Sequence, residues 1–455
     1  MKNDTEEHMQ DEDSCEQEAM LKAFSGTLHR FFGGWQSIFK GITDPRNLNL
    51  ITYQLTGLLC TGVLMYVFRL GSRREVNFKL RGNVASQAKF GAWFDVDTIP
   101  HGDTLNYCFK KLDPDEVQEA VSGMVNTLIR KKVLDHWRLF GHFLISIDGT
   151  GMLTFRERHC EHCLTKKLSN GEILYYHPVL EAKLVTANGF AFSTMTEFIE
   201  NTDPKADKQD CETKAFRRLA KRLKTRFPRL RICLLLDGLF ADGPSMQICE
   251  DNNWKYMIVL KDADLLNVHR SFKVAWAFEK ENHKRILIGP QSETAQDYRW
   301  VNRIEYVDIE NQTHHPNVLE CVETKPSGEG KHIWLTNFNI TTRNVDTLAN
   351  EGGRLRWKIE NEGFNVQKNG GFNLEHPYSQ DEKAGQVFYY LLQIAYMIFQ
   401  LVEKGSLFRK AFPKGVGSLK NIAFRLLEAW RNLRLSASEF CSLNNGRYQI
   451  RFDSS

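Results

Sequence analysis

Two short apolar runs, residues 142–147 (His-Phe-Leu-Ile-Ser-Ile) and 232–236 (Ile-Cys-Leu-Leu-Leu), each stop on an Asp-Gly pair, Asp148-Gly149 and Asp237-Gly238. A short apolar run of this kind reads as a buried strand, and a carboxylate followed by glycine at its end reads as a turn. The pattern between and after them alternates. Residues 175–186 and 190–199 read as two more strands joined by Ala187-Asn188-Gly189, a strong hairpin signal. Residues 212–227 read as a basic amphipathic helix whose apolar stripe is Leu219, Ala220, Leu223 and Phe227, with Arg217, Arg218, Lys221, Arg222 and Lys224 on the other faces. A short helix over 244–251 and a strand over 256–260 follow. A three-stranded meander running into β/α units predicts an α/β core with a partly parallel sheet.

The flanks have a different texture. Residues 21–140 read as an α-helical N-terminal domain, punctuated by Gly33-Gly34 and Gly71-Ser72 and with Asp103 or Thr104 as a cap. Within it residues 51–68 carry no charge, but Thr52, Gln54, Thr56, Gly57, Thr61 and Gly62 dilute the apolarity, so the segment is expected to be a buried helix rather than a membrane span. Residues 265–345 are a β-leaning insertion, 346–403 resume the helices of the core, and 404–455 form a basic helical C-terminal region.

Composition narrows the classes. At 42% hydrophobic and 25% charged over 455 residues, the chain is an ordinary multidomain globular protein, which excludes a wholly disordered, collagenous or disulfide-stapled one. Residues 1–20 hold eight acids and one base, and are expected to be a disordered acidic tail. Setting that tail's −7 against the overall +4 leaves +11 on the body, a charge suited to a polyanion such as nucleic acid. The acidic start lacks a signal-peptide pattern and the cysteines lack a disulfide framework, so a cytoplasmic, reduced setting is expected.

The chemistry lies in the acids. Asp148 and Asp237 stand 89 residues apart, and a third carboxylate, Glu360 or Glu362, comes after the insertion, so only a folded sheet can unite them. Such a cluster suits two divalent cations about 3.5–4 Å apart in phosphoryl transfer. Hard Mg²⁺ takes carboxylate oxygen and keeps part of its water, so a few acids suffice. Taken singly, each Asp-Gly is an ordinary turn, and Arg356 with Glu360 is an ordinary i,i+4 pair.

Three segments, Leu144-Ile-Ser-Ile-Asp-Gly-Thr150, Leu234-Leu-Leu-Asp-Gly-Leu-Phe-Ala-Asp-Gly243 with Asn253-Trp-Lys-Tyr-Met-Ile-Val-Leu-Lys261, and Arg356-Trp-Lys-Ile-Glu-Asn-Glu-Gly-Phe-Asn-Val-Gln-Lys368, resemble the DDE transposases of bacterial insertion sequences, in particular the IS-four-like class. The resemblance covers roughly residues 50–405. It implies an RNase H-like core interrupted by a β-rich insertion, preceded by the helical N-terminal domain and followed by the helical C-terminal region. It also implies Mg²⁺-dependent (with Mn²⁺ as a substitute) cutting of the ends of a mobile element and joining of the freed 3′-OH to target DNA. Asp148, Asp237 and Glu360 match the metal-binding acids, with Glu362 as the rival third acid, and Arg356 and Lys368 match phosphate contacts. Gly353 stands where the family has tyrosine, and Lys368 comes one residue late, with Gln367 in the lysine position. The implied partners are the inverted-repeat ends and target double-stranded DNA, bound by a homodimer in the bacterial cytoplasm at the nucleoid, with no membrane. A metal-dependent nuclease of the same fold and a non-catalytic DNA-binding descendant are the alternatives.

A second constellation is His159-Cys160-Glu161-His162-Cys163 with His177. Cys160, Cys163 and His177 are candidate ligands of a structural Zn²⁺, with His159 or His162 as other donors. A thiol pair in an exposed loop is the other reading.

Overall fold

The computed structural model describes residues 2–201, 209–289 and 293–453, with the backbone alone for 2–12 and 444–445. Two compact units divide the chain, Leu134–Gly363 on one side and Met1–Val133 with Phe364–Ser455 on the other. The protein is mixed α/β, with a large mixed sheet and helical N- and C-terminal regions.

In the Leu134–Gly363 unit the strands are β1 (Phe143–Phe155), β2 (Leu164–Lys167), β3 (Ile173–Val185), β4 (Ala191–Phe198), β5 (Ile232–Leu236) and β6 (Lys255–Val259). They are followed by β7 (His283–Ile288), β8 (Thr294–Val301), β9 (Tyr306–Val307), β10 (Thr313–His314), β11 (Asn317–Lys325) and β12 (Gly328–Thr336). Among the described residues ten of these form one sheet in the order β2-β3-β1-β5-β6-β12-β11-β8-β7, with β4 also on β3. The meander β1-β3-β4 is antiparallel, while β5 and β6 run parallel to β1. Parallel strands need crossovers, and the helices Glu212–Arg226 and Gly243–Asp251 supply them. The first of these buries Leu219, Ala220 and Leu223 of the expected stripe, with Phe227 just past its end, and also Ala215 and Phe216, which the stripe does not include. The insertion does not form a separate body. Its strands extend the same sheet, with β12 antiparallel to β6, around a core that includes Tyr298, Trp300, Leu319 and Trp334.

Two local expectations need correction here. Asp148-Gly149 is not a turn, because β1 continues to Phe155. The parallel ladder with β5 is recorded through Ser146↔Leu235, while the antiparallel ladder with β3 runs on through Phe155↔Tyr175 and keeps the backbone extended. The last motif is also not a regular α-helix. Residues Gly353–Trp357 form tight 3₁₀ turns and Ile359–Phe364 a wide π-helical turn. Packing explains the first part: a β-carbon on Gly353 would lie 2.5 Å from the Trp334 indole. No tyrosine fits there.

In the other unit the acidic segment expected to be disordered is helical from Lys2, within one helix, Lys2–Phe32. Glu, Gln and Met favour helix, and from Met20 onward the same helix buries Leu21, Phe24, Leu28 and Phe31, which anchor it. Met1, and the side chains of the tail's acids through Glu12, lie outside the described residues. The uncharged segment forms the buried helix Leu55–Val67, whose Gly62 would place a β-carbon 2.6 Å from Leu391. Leu391 belongs to Glu382–Glu403, a helix long and apolar enough to cross a membrane, though 89% of its most apolar window is buried in the protein. Being apolar on nearly all faces, it needs helices around it, and it packs on Leu55–Val67 and Pro114–Arg130. Residues 364–403 therefore belong with the N-terminal helices and not with the sheet, contrary to the expectation that the core runs to residue 403.

Candidate active site

Strand register brings the first two acids together. β1 pairs with β5 from Phe143↔Ile232 through Ser146↔Leu235, the last pair being 89 residues apart. Asp148 and Asp237 each lie two residues beyond that last pair, on adjacent strands, and the Asp237 charge acts directly on the Asp148 carboxyl. Asp237 keeps extended backbone and caps the short turn that follows, its Oδ1 accepting from the Leu239 N–H at 2.9 Å. Its Oδ2 lies 3.4 Å from Lys261 Nζ.

The last motif docks on the same strand. Ser146 Oγ donates to the Arg356 carbonyl at 3.0 Å, and Arg356 Nη1 donates to Asp148 Oδ2 at 3.2 Å. The Arg356 guanidinium is nearly buried and also lies over the Trp357 ring, 4.1 Å from its centroid. The sequence resemblance gives Arg356 a phosphate contact; in the structure it is engaged with Asp148. Glu360 contributes its charge to Asp148, whereas Glu362 is paired with Lys358 at 3.0 Å. Lys368 belongs to the other unit and pairs there with Glu375 at 3.0 Å.

A fourth acid joins the group. Glu212 opens the helix Glu212–Arg226, and its carboxylate lies against Gly149, filling the space a β-carbon would need. Sequence reading gives that helix its boundaries but passes over its first residue, because an acid in a first helical turn is commonplace. The fold alone shows that this one faces the aspartates.

The electrostatics match the geometry. Burial pushes the Asp148 carboxyl above its ordinary range; Arg356 opposes that, while Asp237 and Glu360 add to it. Glu212 is raised by burial first, then by Asp148 and Asp237. Four acids are thus gathered with the Arg356 guanidinium and the Lys261 ammonium to offset them in part, an arrangement that cations would relieve.

Part of the basic helix is already committed. Arg218 pairs with Glu197 and Asp210, Arg222 with Glu197, and Lys224 donates to the Asn252 carbonyl at 2.9 Å. Arg217 and Lys221 line an open cleft with Gln247 and Asp251. Cys160, Cys163 and His177 converge, their donor atoms all within 4.8 Å of one another. All ten cysteines are free thiols.

No protein-family model matches this chain, and no curated protein matches it. Among solved structures, a piggyBac transposase synaptic complex with hairpin DNA is similar over 92% of this chain and 81% of that one, with a TM-score of 0.39 and 9% identity.

Proposed function

We propose that this chain is a DDE-type DNA transposase with an RNase H-like core, which cuts the ends of an insertion sequence and joins the freed 3′-OH to target DNA. The observation that carries the reading is the meeting of Asp148, within β1, and Asp237, just past the end of the neighbouring β5, with the charges of Glu360 and Glu212 reaching the same place. The order β4-β3-β1-β5-β6, an antiparallel meander joined to two parallel strands, supports the same core.

The donor set is all carboxylate oxygen, which fits Mg²⁺, or Mn²⁺ in its place. Asp148, Asp237 and Glu360 would hold the ions, with Glu212 as an additional donor. Bound there, two such cations would activate an attacking oxygen and stabilise a leaving one. Arg356 fixes the Asp148 carboxylate and favours its ionised form. Ser146 ties the backbone of the last motif to β1, so the third acid is positioned by the strand that carries the first. Lys368 is assigned a phosphate contact by the sequence resemblance. The N-terminal helices and the basic C-terminal region would bind the inverted-repeat ends, and two copies would hold the two ends in the cytoplasm of a bacterium.

The test is incubation of the purified chain with linear DNA carrying the element's ends, with Mg²⁺. Joined products that vanish in Asp148→Asn and Asp237→Asn support transposition. Cleavage without joining makes the chain a nuclease, and binding without cleavage makes it a DNA-binding descendant of the fold.

A further inference from the structure

Between β1 and β3 the chain makes an excursion that the proposed phosphoryl chemistry does not use. Three soft donors meet in it. Cys160 Sγ and Cys163 Sγ are 3.6 Å apart, and His177 Nε2 lies 3.4 Å from the first and 3.1 Å from the second. A tetrahedral zinc with Zn–S of about 2.3 Å and Zn–N of about 2.0–2.1 Å sets its sulfur–sulfur edge near 3.8 Å and its sulfur–nitrogen edges near 3.6 Å. The observed edges of 3.6, 3.4 and 3.1 Å are all somewhat shorter than these, so a small outward shift of the three side chains would admit the ion. A disulfide would need the sulfurs at about 2.05 Å.

We propose that Cys160, Cys163 and His177 form a zinc site that staples this excursion to the sheet. The donors come from two elements, which is what gives a bound ion mechanical effect. Cys160 and Cys163 belong to the loop before β2, and His177 stands on β3 opposite Leu153 of β1. The loop is held in place by more than the thiols. Asn201 donates to the Cys163 carbonyl at 3.2 Å, and its own carbonyl lies 2.9 Å from His162 Nδ1. Phe155 stacks on His159 with centroids 4.4 Å apart and meets the His177 ring edge-on, forming an apolar shelf beside the donors.

Burial separates this site from a cysteine nucleophile. Cys163 is the thiol closer to the imidazole, and it is fully buried, out of reach of a substrate. Cys160 is only partly covered, which leaves solvent a path to the fourth position. Thiolate and imidazole donors select zinc over magnesium, so the site is chemically independent of the carboxylates. Binding converts both thiols to thiolates and releases their two protons to solvent, with no change of oxidation state. The structural consequence falls on the β1–β3 ladder, which also carries Asp148, paired with Glu181.

The experiment uses the full-length protein. It is expected to retain about one zinc per chain after exhaustive dialysis, and the metal-free protein to take up one Co²⁺ with thiolate-to-cobalt charge-transfer absorption. The double variant Cys160→Ser with Cys163→Ser, and separately His177→Gln, should lose that equivalent while keeping the wild-type circular dichroism; Cys211→Ser should keep it. Two results overturn the proposal: metal-free wild type with native circular dichroism that takes up neither ion, or equal uptake by the Cys160/Cys163 double variant. A Cys160–Cys163 disulfide in protein purified under reducing conditions overturns it as well.

Discussion

The Glu212 carboxylate occupies the space that a side chain at Gly149 would fill. Glycine at 149 therefore does more than follow an aspartate in a strand; it makes room for an acid that arrives 63 residues later. In Gly149→Ala the flexible Glu212 side chain yields before the backbone does. Cleavage is expected to fall about 10²-fold, the usual consequence of displacing a site group by roughly an ångström. The melting temperature should move by only a few degrees. Wild-type cleavage in this variant, measured on end-bearing DNA, would remove Glu212 from the site.

The two candidate third acids separate cleanly by substitution. Glu360→Gln should abolish detectable cleavage and strand transfer. Glu362→Gln breaks a half-exposed pair with Lys358, so it should cost at most about 1 kcal/mol of stability and leave the activity near wild type. Reversed phenotypes would move the third acid to Glu362.

Asp148 and Glu212 both have carboxyls raised above their ordinary values of 3.8 and 4.5. A raised acid binds more protons in the folded state, so its contribution to metal-free stability is complete below the unfolded pKa and declines as pH rises through the folded one. Above that window both groups are charged and repel, and a bound cation gains most. Mg²⁺ should therefore raise the melting temperature more at pH 8 than at pH 5, and Asp148→Asn should remove most of the effect. An Mg²⁺ shift independent of pH would contradict this.

Arg356 acts on Asp148 in the opposite direction, lowering its pKa against the burial that raises it. Arg356→Ala should move the acidic limb of the cleavage profile to higher pH and cost about 1.5–3 kcal/mol for the lost charged hydrogen bond. Arg356→Lys should restore part of the limb's position. A profile that falls in amplitude without moving would assign Arg356 to the DNA instead.

Away from the site, burial raises Glu323 on β11, but hydrogen bonds from Lys325 and Gln296 and the Arg354 charge outweigh it and hold the carboxyl at about 2, against an ordinary 4.5. That lowered acid contributes its full stability above the unfolded value and loses it as pH falls through about 2. Glu323→Gln should be less stable than wild type by up to about 3 kcal/mol at pH 7, with the gap closing below pH 4 in denaturant titrations.

Much of the sheet was legible because it rests on local signals. The apolar runs at 142–147 and 232–236, the Asn188-Gly189 turn and the stripe of the 212–227 helix each carry their own period or turn chemistry. What was not legible depends on distant partners. β1 continues past Asp148 because β3 is long enough to pair with it, and the tight turns at Gly353–Trp357 sit where the Trp334 indole leaves no room for a β-carbon at Gly353. Glu212 could not be picked from neighbouring acids, since nothing within a helical turn of it reports what lies opposite. The division at Gly363 was hidden for the same reason: residues 364–403 look like any apolar helical stretch until their neighbours are known.

The offset shared by Ser146–Leu235 and Asp148–Asp237 has a further consequence for how such a chain can diversify. Turns between β1 and β5 that hold neither the Cys160–Cys163 loop nor Glu212 can change length without altering the register of the two aspartates, whereas a single residue gained or lost inside 143–148 or 232–237 would turn one of them to the far side of the sheet. Insertion scanning across this stretch should therefore yield a sharply bimodal map, permissive in the joins and lethal to chemistry in a handful of strand positions.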